Sequence, residues 1–326
     1  MRIFSGTTNE TFTSKICRSL GVEQGKVYHH TFPSGETYVQ FKTNVRGDDV
    51  FLVQGMGNGG ANDNLMQLLI MADAARRSSA KRITAVMPMT FYTRQDRKDK
   101  SRTPISAKLV MDLLQAAGVN RILTMDLHAA QIQGFTNMPV DVLQFKPVLS
   151  DYINSKYDRL KLRNEYVVVA PDIGAVKRAE EYSKSLQTGL ALIVKIRNGD
   201  EDVEIQSFVG DVKDKHCIII DDLTESVGTL LQAAKACKER GAKTVTCAVT
   251  HGCFTQTGIT RLQSDLTCER YIDEFIYSDT VECDWNKISE YPITKPDGTT
   301  VLSVAPLFAN AIKNTNEDKS ISELFN

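Results

Sequence analysis

One piece of this chain's pattern occurs twice, and it restricts the fold more than any other feature. Helical patterns over 107–117 and 229–240 each end at a glycine, Gly118 and Gly241. Each glycine is followed by a strand-like run and then, ten residues on, by a histidine, His128 and His251. Glycine suits the left-handed position that closes a helix. Aligning the two glycines brings the strand-like runs 82–88 and 217–222 into register, with a longer connection in the first half. Further strand candidates lie at 2–5, 50–54, 121–127, 166–170, 190–195 and 244–249, and helices fill most of the gaps. Strands that alternate with helices join into parallel sheets, and almost wholly apolar runs need cover on both faces. The expected class is therefore α/β, built as two similar units.

Length agrees with that duplication, since 326 residues correspond to two domains of about 150 each. The expected domains span 1–147 and 148–303, and the apolar stretch 304–312 begins a C-terminal segment, 304–326, that returns as a helix onto the first. Within the first domain the spacing predicts a helix over 61–77, with Leu65, Leu68, Leu69 and Ala72 on one face and Asn62 or Asp63 as its N-cap. Charge excludes a class of partner: 39 basic against 40 acidic residues leave no basic footprint for nucleic acid. The seven cysteines are scattered and contain no C-x-x-C pair, so they read as reduced thiols rather than a disulfide framework or zinc site. No apolar signal segment opens the chain and no run approaches the 18 apolar residues of a membrane span, which predicts a cytoplasmic protein without a membrane partner.

Several segments carry possible chemistry. The run Gly55-Met-Gly-Asn-Gly-Gly60 matches G-x-G-x-x-G between a strand and a helix, but the next strand ends at Met87-Pro88 rather than at the acid a dinucleotide ribose requires, so a flexible turn is the better reading. Residues 21–27 fall one short of a P-loop and lack its hydroxyl residue. The sharper signal is the apolar strand that ends in Asp221-Asp222 and continues through Leu223-Thr-Glu225-Ser226-Val227-Gly228-Thr229 into a helix. Backbone amides and hydroxyls there can cradle a phosphate at the helix N-terminus, while the acid pair accepts sugar hydroxyls or holds a metal. An acidic surface turn is the alternative. The charge run 94–102 follows a buried strand in the longer first-half connection, where ligands of parallel sheets bind, and suits a polyphosphate better than a solvated face. His128 and Asp172 also lie at strand ends, where a structural histidine competes with a magnesium-polyphosphate contact. Lys195 and Arg197 close a strand before a glycine- and acid-rich loop, 198–203, that can move over a substrate.

Taken together, these segments resemble the ribose-phosphate diphosphokinases, also called phosphoribosyl-pyrophosphate synthetases, over nearly the whole chain. The most specific stretches are 92–108, 126–135, 62–71 and the acidic phosphate loop. The resemblance implies two tandem phosphoribosyltransferase-like domains, each a mostly parallel sheet flanked by helices, in homo-oligomeric dimers assembled into hexamers. It implies transfer of the β,γ-diphosphoryl group of Mg²⁺-ATP to ribose 5-phosphate. ATP positions fall on Arg94, Gln95, Asp96 and His128, with Phe32, Ser34 and Glu36 reaching the adenine from a neighbouring subunit. Magnesium-linked positions are His128 and Asp172, and the diphosphate turn is Asp172, Gly174 and Ala175. The ribose 5-phosphate loop covers Asp221, Asp222, Glu225, Ser226, Val227, Gly228 and Thr229, and the catalytic loop carries Lys195 and Arg197. Phosphate activation and ADP inhibition are implied at an effector site matching Arg46, Ser79, Arg82, Ser320 and Ser322.

The chain departs from the family pattern at Glu225, Ser226 and Val227, at Pro33-Ser34-Gly35, in a slightly longer 55–61 segment, and at Ala175, which replaces a glycine and whose methyl is expected to crowd the approach of phosphate. Two other readings of the same residues are a non-catalytic regulatory subunit of such an assembly and a phosphoribosyltransferase that consumes the same sugar diphosphate.

Overall fold

The computed structural model describes residues 1–57, 60–157, 159–197, 203–283 and 297–325, without the side chains of 159–161, 195–197, 203–206 and 325. The chain divides into two compact units. Unit 1 holds Met1–Gln144, Asp279–Cys283 and the residues from Ser303 onward; unit 2 holds Phe145–Ser278 and the strand Thr299–Leu302.

Unit 1 begins with β1 (Arg2–Ser5), α1 (Glu10–Leu20) and a hairpin of β2 (Val27–Thr31) and β3 (Thr37–Phe41). It continues through β4 (Asp49–Val53), α2 (Ala61–Arg77), β5 (Arg82–Met87), α3 (Ser106–Ala117), β6 (Arg121–Met125) and β7 (Val140–Leu143). The main sheet has the order β1-β4-β5-β6-β7, every pair parallel. All five residues of β4 are buried, as a strand covered on both faces must be. Leu65, Leu68 and Ala72 of α2 pack into that core while Leu69 is half-buried. The α2 N-cap is Gly60 at φ +97°, not Asn62 or Asp63, which lie inside the first turn. The hairpin was not among the strand candidates, because His29, His30 and Thr31 break the apolar signature of a covered strand; only Val39 of its residues is buried.

The C-terminal helix Ala305–Asn316 packs on α1, with the Phe12 and Phe308 rings edge to face at 5.4 Å. Asp279 secures this return by accepting hydrogen bonds from Val304 N–H (2.8 Å) and Ser303 Oγ (2.6 Å) and pairing with Lys15 Nζ at 2.8 Å. That short excursion, 279–283, had no signature in the sequence.

Unit 2 contains α4 (Lys146–Lys156), α5 (Arg159–Glu165), β8 (Tyr166–Ala170), α6 (Val176–Leu186), β9 (Gly189–Arg197), β10 (Val203–Val209), β11 (His216–Thr224), α7 (Gly228–Glu239), β12 (Thr244–Gly252), α8 (Gln256–Ser264), β13 (Glu274–Ser278) and β14 (Thr299–Leu302). Its sheet order is β10-β9-β8-β11-β12-β13-β14, parallel throughout except for the antiparallel edge pair β10–β9. In sequence the first unit gives way to the second at Gln144/Phe145, and the buried Phe145 is the N-cap of α4. Gly118 and Gly241 both take positive φ, +105° and +85°, each just beyond its helix. The paired histidines diverge: His128 is exposed beyond β6, whereas β12 extends through Gly252 and buries His251.

Candidate active site

In unit 1 the connection after β5 becomes a ligand-sized cleft through a few fixed hydrogen bonds. Phe91 is buried beneath it, and Gln95 N–H donates to Tyr92 C=O at 2.9 Å. Gln95 is then fastened to the start of α3, its carbonyl accepting Ala107 N–H (3.1 Å) and its Oε1 accepting Ser106 Oγ–H (2.6 Å). Asp96 Oδ2 accepts from Gln131 Nε2 at 2.8 Å, which ties this connection to the turn after β6. Tyr92, Arg102 and Asp126 all adopt positive φ (+55°, +66° and +36°) without being glycine, and such backbone conformations concentrate at functional sites.

Between these segments lies a cavity of about 490 Å³ lined by Arg94, Gln95, Asp96, Arg97, Asp99, Thr103, Pro104, His128, Ala129 and Gln131. The four positions that the resemblance assigned to ATP therefore share one cleft. Gln131 was not foreseen; its only sequence signal was its place within the stretch 126–135. Phe32, Ser34 and Glu36 are not in this lining and sit on the hairpin turn. There Phe32 N–H donates to Glu36 C=O (2.9 Å), Gly35 takes φ +89°, and Ser34 Oγ donates to Glu36 Oε2 (2.8 Å). Phe32 is 45% exposed, with His30 and Tyr38 against its ring at 5.0 and 6.1 Å.

In unit 2 the carboxyl ends of β8 and β11 form a second polar constellation. Asp172 caps the turn Ile173–Ala175, its Oδ1 accepting Ala175 N–H at 3.1 Å. Ala175 itself is 3% exposed, so its methyl packs inside the protein and does not crowd the open face as the sequence suggested. A Cβ on Gly174 would meet Asp172 Oδ1 at 3.2 Å, which keeps this position tight as well.

The acid pair lies within β11, as expected, and the strand runs two residues beyond it to Thr224. Asp222 is buried and Asp221 half-buried, and Arg178 of α6 brings Nη1 to 3.1 Å from Asp222 Oδ1 and 3.7 Å from Asp221 Oδ1. Burial, followed by the neighbouring Asp222 and then the Asp172 charge, pushes the Asp221 carboxyl well above the usual range, while Arg178 opposes the shift. The loop then turns at Val227, a buried residue at φ +60° whose N–H donates to Thr224 Oγ1 at 3.1 Å. Val227 thus contributes a backbone turn, and Gly228 and Thr229 open α7, whose first amides have no partner within the helix. Glu225 C=O is held from α8 by Thr255 N–H (3.0 Å) and Thr255 Oγ1 (3.2 Å).

Lys195 and Arg197 lie on the β9 backbone opposite Ile205 and Val203, but their side chains, like residues 198–202, are outside the described residues. Of the effector positions, Arg82 is the one placed in the lining of a described cavity. Arg82 lines a second cavity of about 510 Å³ with Met1, Asp48, Asp49, Lys81 and Asp318 among others, whereas Arg46, Ser79, Ser320 and Ser322 are absent from its lining. The Arg82 guanidinium donates to Asp49 (Nε to Oδ1, 3.0 Å), to Asp318 (2.9 Å) and to Thr315 C=O (2.6 Å), and the Asp49 and Asp318 carboxylates push its pKa up against the effect of burial.

Among the described residues no three His, Cys, Asp or Glu side chains gather as a metal cage. Magnesium requires none, because one or two carboxylates plus substrate phosphates hold it, and Asp172 offers a hard oxygen donor fixed by its cap. No described helix is long and apolar enough to cross a membrane.

Comparison with known proteins covers both units. Residues 1–118 match the family described as the N-terminal domain of ribose phosphate pyrophosphokinase, and residues 144–283 match the phosphoribosyl transferase domain. A ribose-phosphate pyrophosphokinase of Clostridium perfringens is 43% identical over 330 residues, covering 100% of this chain and 97% of its own. One from Agrobacterium fabrum is 42% identical over 325 residues, covering 100% of both chains. The crystal structure of phosphoribosylpyrophosphate synthetase from Mycobacterium smegmatis superimposes with a TM-score of 0.85 at 38% identity, over 97% of this chain and 99% of the other.

Proposed function

The chain belongs to the ribose-phosphate pyrophosphokinase family, and on that premise we propose that it transfers the β,γ-diphosphoryl group of ATP to the anomeric hydroxyl of ribose 5-phosphate, releasing AMP and 5-phosphoribosyl 1-diphosphate for nucleotide biosynthesis. The observation that carries this reading is the strand end Asp221-Asp222 running through a tight hydroxyl-rich loop into the start of α7. Two carboxylates there suit vicinal sugar hydroxyls, and the amides of Gly228 and Thr229 suit the 5-phosphate.

ATP occupies the unit 1 cleft, with Arg94 and His128 on its phosphates and Gln95 and Asp96 fixing its position; Phe32, Ser34 and Glu36 of a neighbouring copy contact the adenine. Attack on the β-phosphorus is in line and needs no covalent nucleophile, so positioning and charge neutralisation supply the acceleration. Lys195 and Arg197 stabilise charge that develops on the β-phosphoryl group and leaving AMP. Asp172 and His128 would hold magnesium, which when bound would supply charge neutralisation to the phosphates. Asp172, Gly174 and Ala175 form the diphosphate turn. The protein acts in the cytoplasm as dimers assembled into a hexamer, with phosphate as activator and ADP as inhibitor at Arg46, Ser79, Arg82, Ser320 and Ser322.

A regulatory subunit without activity is disfavoured because every charged group assigned to the chemistry is retained. A phosphoribosyltransferase is disfavoured by the unit 1 cleft lined by Arg94, Gln95, Asp96, Arg97 and Asp99. The test is ribose 5-phosphate-dependent release of AMP from Mg²⁺-ATP in phosphate buffer, with Lys195→Ala as control. The variant is expected to lose at least about 10²-fold in turnover with ribose 5-phosphate affinity unchanged, since the cation acts on the transition state. Absence of AMP with the unmodified protein overturns the reading, and loss of sugar affinity at full turnover overturns the role of Lys195.

A further inference from the structure

Arg178 was not singled out by any motif, yet its guanidinium meets both members of the acid pair. A single guanidinium nitrogen lies 3.1 Å from Asp222 Oδ1 and 3.7 Å from Asp221 Oδ1. The three side chains are 22%, 8% and 16% exposed, so the contact is largely withdrawn from solvent and weakly screened. Asp221 Oδ1 also accepts the backbone N–H of Asp222 at 2.9 Å, which fixes that carboxylate from a second direction. Two adjacent carboxyl groups are both ionised only where a cation offsets their repulsion, and Arg178 is the charge that opposes the rise in the Asp221 pKa. Arg178 supplies the cation from α6, an element that begins at the turn Asp172 caps and packs against β8 and β11.

We propose that Arg178 is a positioning residue that holds the Asp221 and Asp222 carboxylates as a fixed pair of acceptors, and that this pairing makes the site select a sugar phosphate with two vicinal hydroxyls over its deoxy counterpart. The inference rests on the reading of Asp221–Thr229 as the sugar-phosphate loop. Its physical basis is that a site built to accept a hydroxyl hydrogen bond rejects the analogue lacking it, because the buried acceptor is then left without its donor. Freed from the guanidinium, the carboxylates lose their common orientation, and the second hydroxyl no longer adds to binding.

The experiment measures binding of ribose 5-phosphate and 2-deoxyribose 5-phosphate by calorimetry, with Mg²⁺ and a non-hydrolysable ATP analogue present, for the unmodified chain, Arg178→Met and Arg178→Lys. Thermal melts confirm that each variant is folded; Arg178→Lys keeps a cation beside the acids and serves if Arg178→Met does not fold. Arg178→Met is expected to weaken ribose 5-phosphate about tenfold and 2-deoxyribose 5-phosphate less than twofold, with Arg178→Lys intermediate. In turnover assays KM for ribose 5-phosphate rises while kcat changes less than threefold. Equal weakening of both sugars, or an unchanged ratio between them, overturns the proposal. Failure of the unmodified chain to bind either sugar overturns the sugar site itself and the role of Arg178 with it.

Discussion

Gly258 is the residue against which the proposed sugar-phosphate loop packs, and replacing it with alanine opposes two effects of known size. It lies in the first turns of α8, and a Cβ added there would stand 2.1 Å from Glu225 O, 3.1 Å from Glu225 C and 3.2 Å from Ser226 Cα. Real Cβ atoms essentially never come within 3.0 Å of a heavy atom, so loop and helix must separate by about 0.9 Å, the difference between 3.0 and 2.1. Alanine improves helix propensity by about 1 kcal/mol. Against that gain, the separation strains or breaks the two hydrogen bonds that Thr255 gives to Glu225 C=O, at about 1 kcal/mol each, and overpacking adds about 1–3 kcal/mol. The expected net is a destabilisation of about 2–4 kcal/mol. Activity falls further than stability, because a displacement near 1 Å of positioning groups costs about 10²-fold in rate. Urea unfolding followed by fluorescence measures the first quantity, and AMP formation at saturating ATP over a range of ribose 5-phosphate measures the second. A Gly258→Ala protein as stable as the parent, with kcat/KM within threefold, would refute the reasoning and show that the loop has room the structure does not give it.

Two further outcomes follow from burial. Burial, followed by the Lys243 charge, lowers the His216 pKa, while Glu165 and Asp273 pull the other way. The folded protein therefore binds this proton less readily than the unfolded chain, so the His216 contribution to stability is complete above the unfolded value of about 6.5 and is lost as pH falls from there through the folded pKa. His216→Gln should flatten that part of the stability–pH curve in urea titrations, and a curve of unchanged slope between pH 7 and 5 contradicts the assignment. Thiol chemistry offers the other check: burial pushes the Cys17 thiol up to about 11 and the Cys247 thiol well up, whereas Cys268 is exposed. A brief native treatment with a maleimide, mapped by mass spectrometry, should modify Cys268 first and leave Cys17, Cys217, Cys237 and Cys247 unlabelled; early labelling of Cys247 would mean that β12 opens far more readily than its packing implies.

Much of the framework that carries the proposed site could be read from sequence because its signals are local. An apolar run ending in two acids and leading into Gly228-Thr229 reports a strand, a turn and a helix start within a dozen residues, and the 3.6-residue spacing of Leu65, Leu68 and Ala72 reports the buried face of α2 in the same way. What escaped lies at longer range. Gln131 reaches Asp96 across 35 positions, and Arg178 reaches Asp222 from another helix. Nothing periodic marks such residues, since each works through a single polar contact made only after the sheet has assembled. Even at short range, pattern identifies a position better than it gives a direction. Ala175 occupies its expected place, yet its methyl is buried, because the Asp172 cap fixes the turn's backbone and that backbone determines which side Cβ takes. The same logic governs Val227. Val227 departs from the family pattern, but at φ +60° its side chain is buried and its N–H is held by Thr224 Oγ1, so the face the loop presents is left to its neighbours. A substitution at Val227 should accordingly register first in stability, as a left-handed, buried, β-branched position, and only through the backbone in catalysis.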